Sequence, residues 1–438
     1  MKIFRDPIYN VIDLDTGDEI VNELLIRLID CKEFQRLRYL KQLGFTYFAY
    51  PSANHTRFEH SLGVAYLAKR FLDRILSIKE RALISHPEGS QNRDKFIRFF
   101  QQIKQDRSAT IVAALLHDIG HGPLSHVLEY FTGEVTHEDW TREIIFGNTE
   151  VNELLMLFSD KNPEKKINPI RIWDILNNTN ESYPSAKILA GQLDVDRMEY
   201  MLRDSHMTGA GYGKFDVEWI FNVLTIGIVG EKVEIGIDLG KGLSVAEDFI
   251  MARIYMYKNI FFHKTNQVAG HMLKALFQRV KDLPEESPDK LLLNDSLRKI
   301  FLSSHRKESA PELLDDYLGI TDIDLFYGLK SLQKSGDEVL RRLSGGLLSR
   351  NLLKKTELKN WNMYQTDDKG KYYTAYISID LEKERVPYRS DDGPIILFDK
   401  DGAFYEISEL SDVVRTTLKN EEMVLGYFVE DESLLRKH

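Results

Sequence analysis

The chain has 438 residues, of which 43% are hydrophobic, 11% aromatic and 29% charged. This is ordinary globular usage and excludes a disordered polymer. Lysine plus arginine number 58 against 68 acids, a formal charge of -10, which argues against a uniformly basic nucleic-acid binder and leaves only local basic pockets. A single cysteine, Cys31, excludes an intrachain disulfide framework and a multi-thiolate zinc site, so a reducing, cytoplasmic setting is expected.

The opening Met1-Lys2-Ile3-Phe4-Arg5-Asp6 is charged and lacks the apolar core of a signal peptide, so no secretion is expected. From Phe4 to Leu14 apolar and polar residues alternate around Ile8, Val11 and Ile12, which predicts a short strand or an extended arm. Leu24, Leu25, Leu28, Ile29, Phe34, Leu37 and Leu40 then recur at helical steps. So do Leu62, Tyr66, Ala68, Phe71, Leu72 and Ile75, and both series predict amphipathic helices. Pro87, Gly89, Ser90 and Asn92 mark a loop over 85–95, and a second break falls at Asn162 to Pro169. Ile111 to Leu116 is an apolar run of six that ends at a histidine, far short of the ~20 residues that span a membrane. It predicts a buried helix. Gly230-Glu231 within Val223 to Ile237, and Asp401-Gly402 within Ile395 to Ile407, predict two hairpins. The acidic, proline-containing stretch Pro284 to Pro288 is the expected boundary between a helical body over 1–283 and a C-terminal α+β region over 284–438, expected to serve assembly or regulation. The fold class is therefore mainly α with small accessory β-hairpins and a C-terminal mixed α/β region.

Four of the 12 histidines lie between His117 and His137, where chance would place fewer than one. Ile111 to Leu116 delivers His117-Asp118 at the buried end of a helix, where an unpaired charge costs several kcal/mol and a bound cation offsets that cost. His121 follows four residues on, and Gly122-Pro123 stops the helix. Pro123 can open a second helix that sets His126 and Glu129 at i, i+3, an acid/base arrangement in which the carboxylate orients and charges the imidazole. One histidine and one aspartate do not complete a divalent site. Two further places offer ligands: His60, at the opening of a helix, and Asp196, at the opening of another. A His, His, Asp, Asp set suits Mn, Fe, Zn, Ni or Co.

Three blocks now stand out: Arg57 to Gly63, His117-Asp118-Ile119-Gly120-His121-Gly122-Pro123-Leu124-Ser125-His126, and Asp194 to Tyr200. In order and spacing they resemble the HD-domain phosphohydrolases, and within them the branch that hydrolyses deoxynucleoside triphosphates, over roughly residues 2 to 270. The resemblance implies an HD-domain helical core with one divalent metal per site held by His60, His117, Asp118 and Asp196. It places His121, His126, Glu129 and His137 around the reacting phosphate and leaves Asp194 to pair with an arginine. A triphosphate brings close to four negative charges, which one divalent ion does not neutralise. Similarity to the family assigns Arg57, Arg197, Tyr200, Arg253, His263 and Lys264 to the phosphates, with Mg as the companion of the nucleotide. Gln42, Leu43 and Asp204 face the sugar, and Leu43 can exclude a hydroxyl by packing. Phe261 stands where some relatives have tyrosine.

The products expected are the deoxynucleoside and intact triphosphate, with His126 protonating the 5′ oxygen. Residues similar to Lys2, Asp30, Gln35 and Arg38 form a guanine-reading site between subunits in nucleotide-activated relatives. The resemblance therefore implies a homo-oligomer, a tetramer, with a guanine or deoxynucleotide effector and no membrane or nucleic-acid partner. Two other readings share parts of this pattern. Another HD phosphohydrolase, such as a nucleotidase or phosphodiesterase, would use the same metal chemistry, although the Gly-Tyr pairs at 211–212 and 426–427 lack the proline that the cyclic-dinucleotide class wants. A nucleotide-sensing scaffold with a vestigial site is opposed by the intact ligand set.

Overall fold

The computed structural model describes residues 2–124, 135–179, 183–302, 310–356, 364–366, 375–379, 388, 393–418, 423–428 and 435–437. The alternating N-terminal segment is two strands, β1 (Ile3–Asp6) and β2 (Asn10–Asp13), paired antiparallel. Asp6 makes the reversal, its Oδ1 accepting from Ile8 N at 2.8 Å and Tyr9 N at 3.0 Å.

Helices follow where the periodicity puts them. α1 (Glu19–Asp30) is capped by Asp18 and buries Val21, Leu24, Leu25, Leu28 and Ile29, and α2 (Lys32–Arg36) continues after Cys31. α3 (Arg57–Ser77) opens on a capping box between Thr56 and Glu59. The expected 85–95 loop is shorter than composition suggested, because Ser90 caps a long helix, α4 (Gln91–Leu116), that starts within it. α3 packs against α4. α5 (His137–Phe146), α6 (Glu150–Lys161) and α7 (Pro169–Leu176) are each capped by a Thr or Asn side chain. α8 (Val195–Thr208) is capped by Asp194 and ends on Gly209 at φ +72°.

The two expected hairpins are real, and they join. β3 (Leu224–Val229) pairs with β4 (Lys232–Asp238), and β4 pairs in parallel with β5 (Ile396–Phe398), which pairs with β6 (Phe404–Glu406). The Phe398 ring covers Gly227 and Gly236, where a Cβ would lie 2.1 and 2.7 Å from ring carbons. Beyond the sheet run α9 (Leu239–Met256), a π-helical turn at Tyr257–Phe261, and α10 (Lys264–Asp282). α11 (Ala310–Leu318), α12 (Asp322–Leu332) and α13 (Glu338–Ser349) follow, with α13 against α10. One hydrophobic cluster contains residues from Ile12 to Val414. Among the described residues no helix is long and apolar enough to cross a membrane.

Candidate metal centre

The last turn of α4 decides where the site lies. Ile111 to Leu116 are all 0% exposed, and burying six such side chains carries His117 into the interior with them. The α-helix ends there, before the Gly122-Pro123 stop, and tight turns close from Ile119 N to Leu116 O and from His121 N to Asp118 O, both 3.1 Å. His121 is therefore delivered by a turn. Gly120 makes this possible: a Cβ there would lie 2.3 Å from His137 O and from Thr141 N, so only glycine lets the start of α5 close on the turn. As a result the His137 ring stacks on His121, with centroids 4.0 Å apart.

His60 in the first turns of α3, His117 after α4 and Asp196 in the first turn of α8 meet at one point. His60 Nε2 lies 3.2 Å from His117 Nε2 and 3.1 Å from Asp196 Oδ1, and His117 Nε2 lies 3.4 Å from the same oxygen. Asp118 borders both rings, Oδ2 at 3.5 Å from His60 Nε2 and Oδ1 at 3.4 Å from His117 Nε2. Donors held ~2.0 to 2.2 Å from one ion stand about 3.0 to 3.4 Å from each other, and the His60, His117 and Asp196 distances are of that size, whereas Asp118 meets the two rings with different oxygens, one of them paired with Arg57. His60, His117 and Asp196 form a group that can hold a metal ion.

The ring protons agree. His60 Nδ1 pairs with Glu199 Oε2 at 2.6 Å and His117 Nδ1 with Ala114 O at 2.8 Å. With a proton on each Nδ1 pointing to the far side of its ring, both Nε2 atoms are free to turn a lone pair to one shared cation once the proton that the carboxylates draw onto His60 is displaced. Electrostatics make the same demand. Burial opposes a charge on His60, yet the Asp196 and Glu199 carboxylates push the imidazole up to about 10. Burial likewise works against Asp118, and Arg57 and His117 hold its carboxyl well below the usual range.

Glu199 lies within the Asp194 to Tyr200 block. It accepts from His60 and from Arg203 Nε at 2.7 Å, and Arg203 Nη1 reaches Asp6 Oδ2 at 2.9 Å, so a buried chain of charges ties the N-terminal hairpin to the site. Gly63 is what admits it, since a Cβ there would lie 2.1 Å from Glu199 Oε1. The legible signal was the glycine three residues after His60.

The remaining predicted residues surround this point or lie on its flanks. Arg57 pairs with Asp118 Oδ2. His121 Nε2 is 3.3 Å from Asp118 Oδ1, and burial and Arg57 hold His121 well below its ordinary value, hence neutral. His126 and Glu129 fall outside the described residues. Arg197 pairs with Asp194, the α8 cap, which accordingly serves an arginine and stays out of the ligand group. Burial and Tyr257 push the Tyr200 hydroxyl well above the phenol range, against the pull of Arg253 and Arg197. Arg253, itself buried, donates to Gln192 Oε1 at 3.0 Å. His263 caps α10 and sets its ring edge-on to Tyr50, and Lys264 beside it is exposed.

Gln42 and Leu43 lie in the loop before a 3-10 turn at Gly44–Phe48. Gln42 N donates to His55 O at 3.1 Å, while its buried Oε1 meets no hydrogen-bond partner among the described residues. Asp204 is buried and pairs with His55 Nε2 at 2.7 Å; nothing local in the sequence announced His55. Lys2, Asp30, Gln35 and Arg38 form one patch. Lys2 Nζ reaches Asp30 Oδ2 at 2.6 Å, Gln35 Nε2 donates to Ile29 O at 2.7 Å, and Arg38 Nε donates to Gln35 Oε1 at 2.8 Å. The Arg38 guanidinium sits 3.5 Å over the Phe58 ring. Beside the patch, Cys31, Glu33 and Glu150 are spaced like metal ligands, but they serve the joint between α2 and α6. Cys31 Sγ donates to Leu28 O, Glu33 Oε1 accepts from Glu150 N, Glu150 Oε2 accepts from Lys32 N, and burial pushes the thiol up to about 12.

Comparison with known proteins matches the geometry. The HD domain family model covers residues 57–202, which include all four residues converging on the candidate site. The uncharacterized protein YwfO of Bacillus subtilis is 30% identical over 356 residues, 81% of this chain and 72% of its own length. Deoxynucleoside triphosphate triphosphohydrolase SAMHD1 of Gallus gallus is 28% identical over 305 residues, 64% of this chain and 45% of that protein, so the chain spans less than half of that relative. The crystal structure of a phosphohydrolase from Bacteroides thetaiotaomicron is similar with a TM-score of 0.75 at 25% identity, over 98% of this chain and 99% of that one.

Proposed function

We propose, from the premise that this chain belongs to the HD-domain phosphohydrolase family, that it hydrolyses deoxynucleoside triphosphates to deoxynucleoside and inorganic triphosphate. The observation that supports the reading is the convergence of His60, His117 and Asp196, with Asp118 beside them and buried guanidiniums around, in a chain similar to a deoxynucleoside triphosphate triphosphohydrolase over 64% of its length. A divalent ion held by those four side chains would supply Lewis acidity toward the phosphate oxygens.

The protein's own residues do the rest. Arg57 and Arg197 are already aimed by Asp118 and Asp194, so little side-chain entropy is lost when they meet phosphate, and Arg253 adds a third fixed guanidinium. Gln42, Leu43 and Asp204 read the sugar, and the unmatched Oε1 of Gln42 suits a hydroxyl donor. His263 and Lys264 reach the outer phosphates. Water attacks the α-phosphorus, forming the new P–O bond and losing a proton to solvent as the bond to the 5′ oxygen breaks, and the 5′ oxygen leaves with a proton from His126, for which Glu129, three residues on in sequence, is the proposed partner. Neutral His121 and its stacked partner His137 steady phosphate oxygens as hydrogen-bond donors.

Incubation with each deoxynucleoside triphosphate plus Mn or Mg, resolved by ion-pair chromatography, tests the reading. Deoxynucleoside and intact triphosphate are expected, whereas monophosphate plus pyrophosphate overturns the mechanism. Replacing His126 by alanine should cut turnover about 100-fold or more with metal content unchanged. The active form is a homo-oligomer, a tetramer, stabilised by a guanine or deoxynucleoside triphosphate on the patch of Lys2, Asp30, Gln35 and Arg38.

A further inference from the structure

The turn bearing His117, Asp118 and His121 is held from a distant part of the chain. Tyr317, near the end of α11, donates through its hydroxyl to Gly120 O at 2.7 Å and stacks its ring on Trp140 with centroids 3.9 Å apart. Arg36 donates to His121 O at 2.7 Å and, on the other side, to Ile320 O at 3.1 Å and Tyr317 O at 3.3 Å. Asp322, in the first turn of α12 and 4% exposed, completes the set. Its Oδ1 accepts from Leu124 N and its Oδ2 from Lys41 N, both at 2.9 Å.

Those two N–H groups belong to different segments. Lys41 precedes Gln42 and Leu43, and Leu124 follows His121-Gly122-Pro123. The segments touch, because a Cβ at Gly44 would lie 3.7 Å from Leu124 O. Leu124 itself is at φ +52°, a conformation that residues other than glycine rarely hold without outside support. Asp322 has no capping duty to explain its burial, since Thr321 and Asp324 already form the capping box of α12. A carboxylate also suits the position chemically. It has acceptors on both oxygens and no donor, whereas asparagine would set an N–H against one of the two N–H groups.

We infer that Asp322 is a positioning residue for the phosphohydrolase reaction, fixing the loop of Gln42 and Leu43 against the His117–His121 turn, with Tyr317 bracing that turn. The role toward Gln42 and Leu43 rests on the deoxynucleotide reading; the role toward the turn does not.

The test compares Asp322→Asn and Tyr317→Phe with the wild-type full chain loaded with Mn. The readouts are metal per chain, folded fraction, and kcat and KM on a deoxynucleoside triphosphate and on bis(4-nitrophenyl) phosphate, a diester with no sugar. Asp322→Asn should keep its metal while KM for the deoxynucleotide rises about tenfold or more, a split that lost stability alone would not produce. The inference is overturned if kcat and KM, corrected for folded and metal-loaded protein, stay within twofold of wild type. Should Asp322→Asn not fold, Tyr317→Phe decides by kcat under the same limits. Wild-type protein that cleaves the diester and no deoxynucleotide would end the deoxynucleotide reading alone, and the brace is then judged by an expected fall of about tenfold in kcat on the diester.

Discussion

His60 and Asp30 each have charged partners, yet the two are held by different means. His60 is 1% exposed and is gripped by Glu199, itself backed by Arg203 and Asp6, whereas the Lys2–Asp30 pair leaves its side chains 45% and 52% exposed. The first arrangement is costly to break because each member would be left buried and uncompensated, typically at 3 to 5 kcal/mol on the order of magnitude seen for such pairs. An exposed pair contributes about 0 to 1 kcal/mol and yields easily to a competing ligand. The difference lies in burial: the His60 chain is locked in place, and the Lys2–Asp30 pair is free to exchange with water.

The largest expected effect comes from removing a ligand. Asp196→Ala should lose both bound metal, read by elemental analysis, and turnover; metal content equal to wild type would put the ion elsewhere. Next is Gly63→Ala, which drives a Cβ into Glu199 and should weaken metal affinity about 10- to 100-fold in a chelator titration without touching a ligand.

A pH series sharpens the contrast further. Because the metal-free site raises His60 to about 10, its pairs contribute stability that is fully present below the unfolded value of about 6.5 and is lost as pH rises toward 10. The thermal midpoint of metal-free protein should therefore fall across that window, and added Mn should flatten the fall. Smallest is Asp30→Ala, which should shift stability by no more than about 1 kcal/mol yet abolish effector activation at full metal content. Full activity on one purified deoxynucleotide, from a monomer without effector, would remove the regulatory role of the patch altogether.

Local patterns told much of this in advance. The apolar run before His117 and the periodicity of α1 and α3 are visible in sequence because burial repeats every three or four residues along one element. Tertiary partners left no such trace. Glu199 lies 139 residues from His60, Asp204 lies 149 from His55, and Asp322 lies 281 from Lys41, so no window of sequence contains both members. The same holds for the sheet, whose two hairpins are announced by their turns while the β4–β5 pairing is not. Spacing alone also leaves open how His121 comes to lie beside Asp118: a glycine-dependent turn delivers it.

That late pairing has a consequence in time. β4 ends at Asp238 and its neighbour β5 begins at Ile396, so during synthesis at roughly 5 to 20 residues per second the edge of β4 waits on the order of 10 s for its partner. Throughout that interval Ile237 and Asp238, which pair with Leu397 and Phe398 in the finished sheet, sit on an open strand edge, the feature by which nascent chains stick to one another. Yield in a cell should therefore depend on how fast the ribosome covers the stretch between the two strands, and on whether a chaperone shelters the hairpin meanwhile.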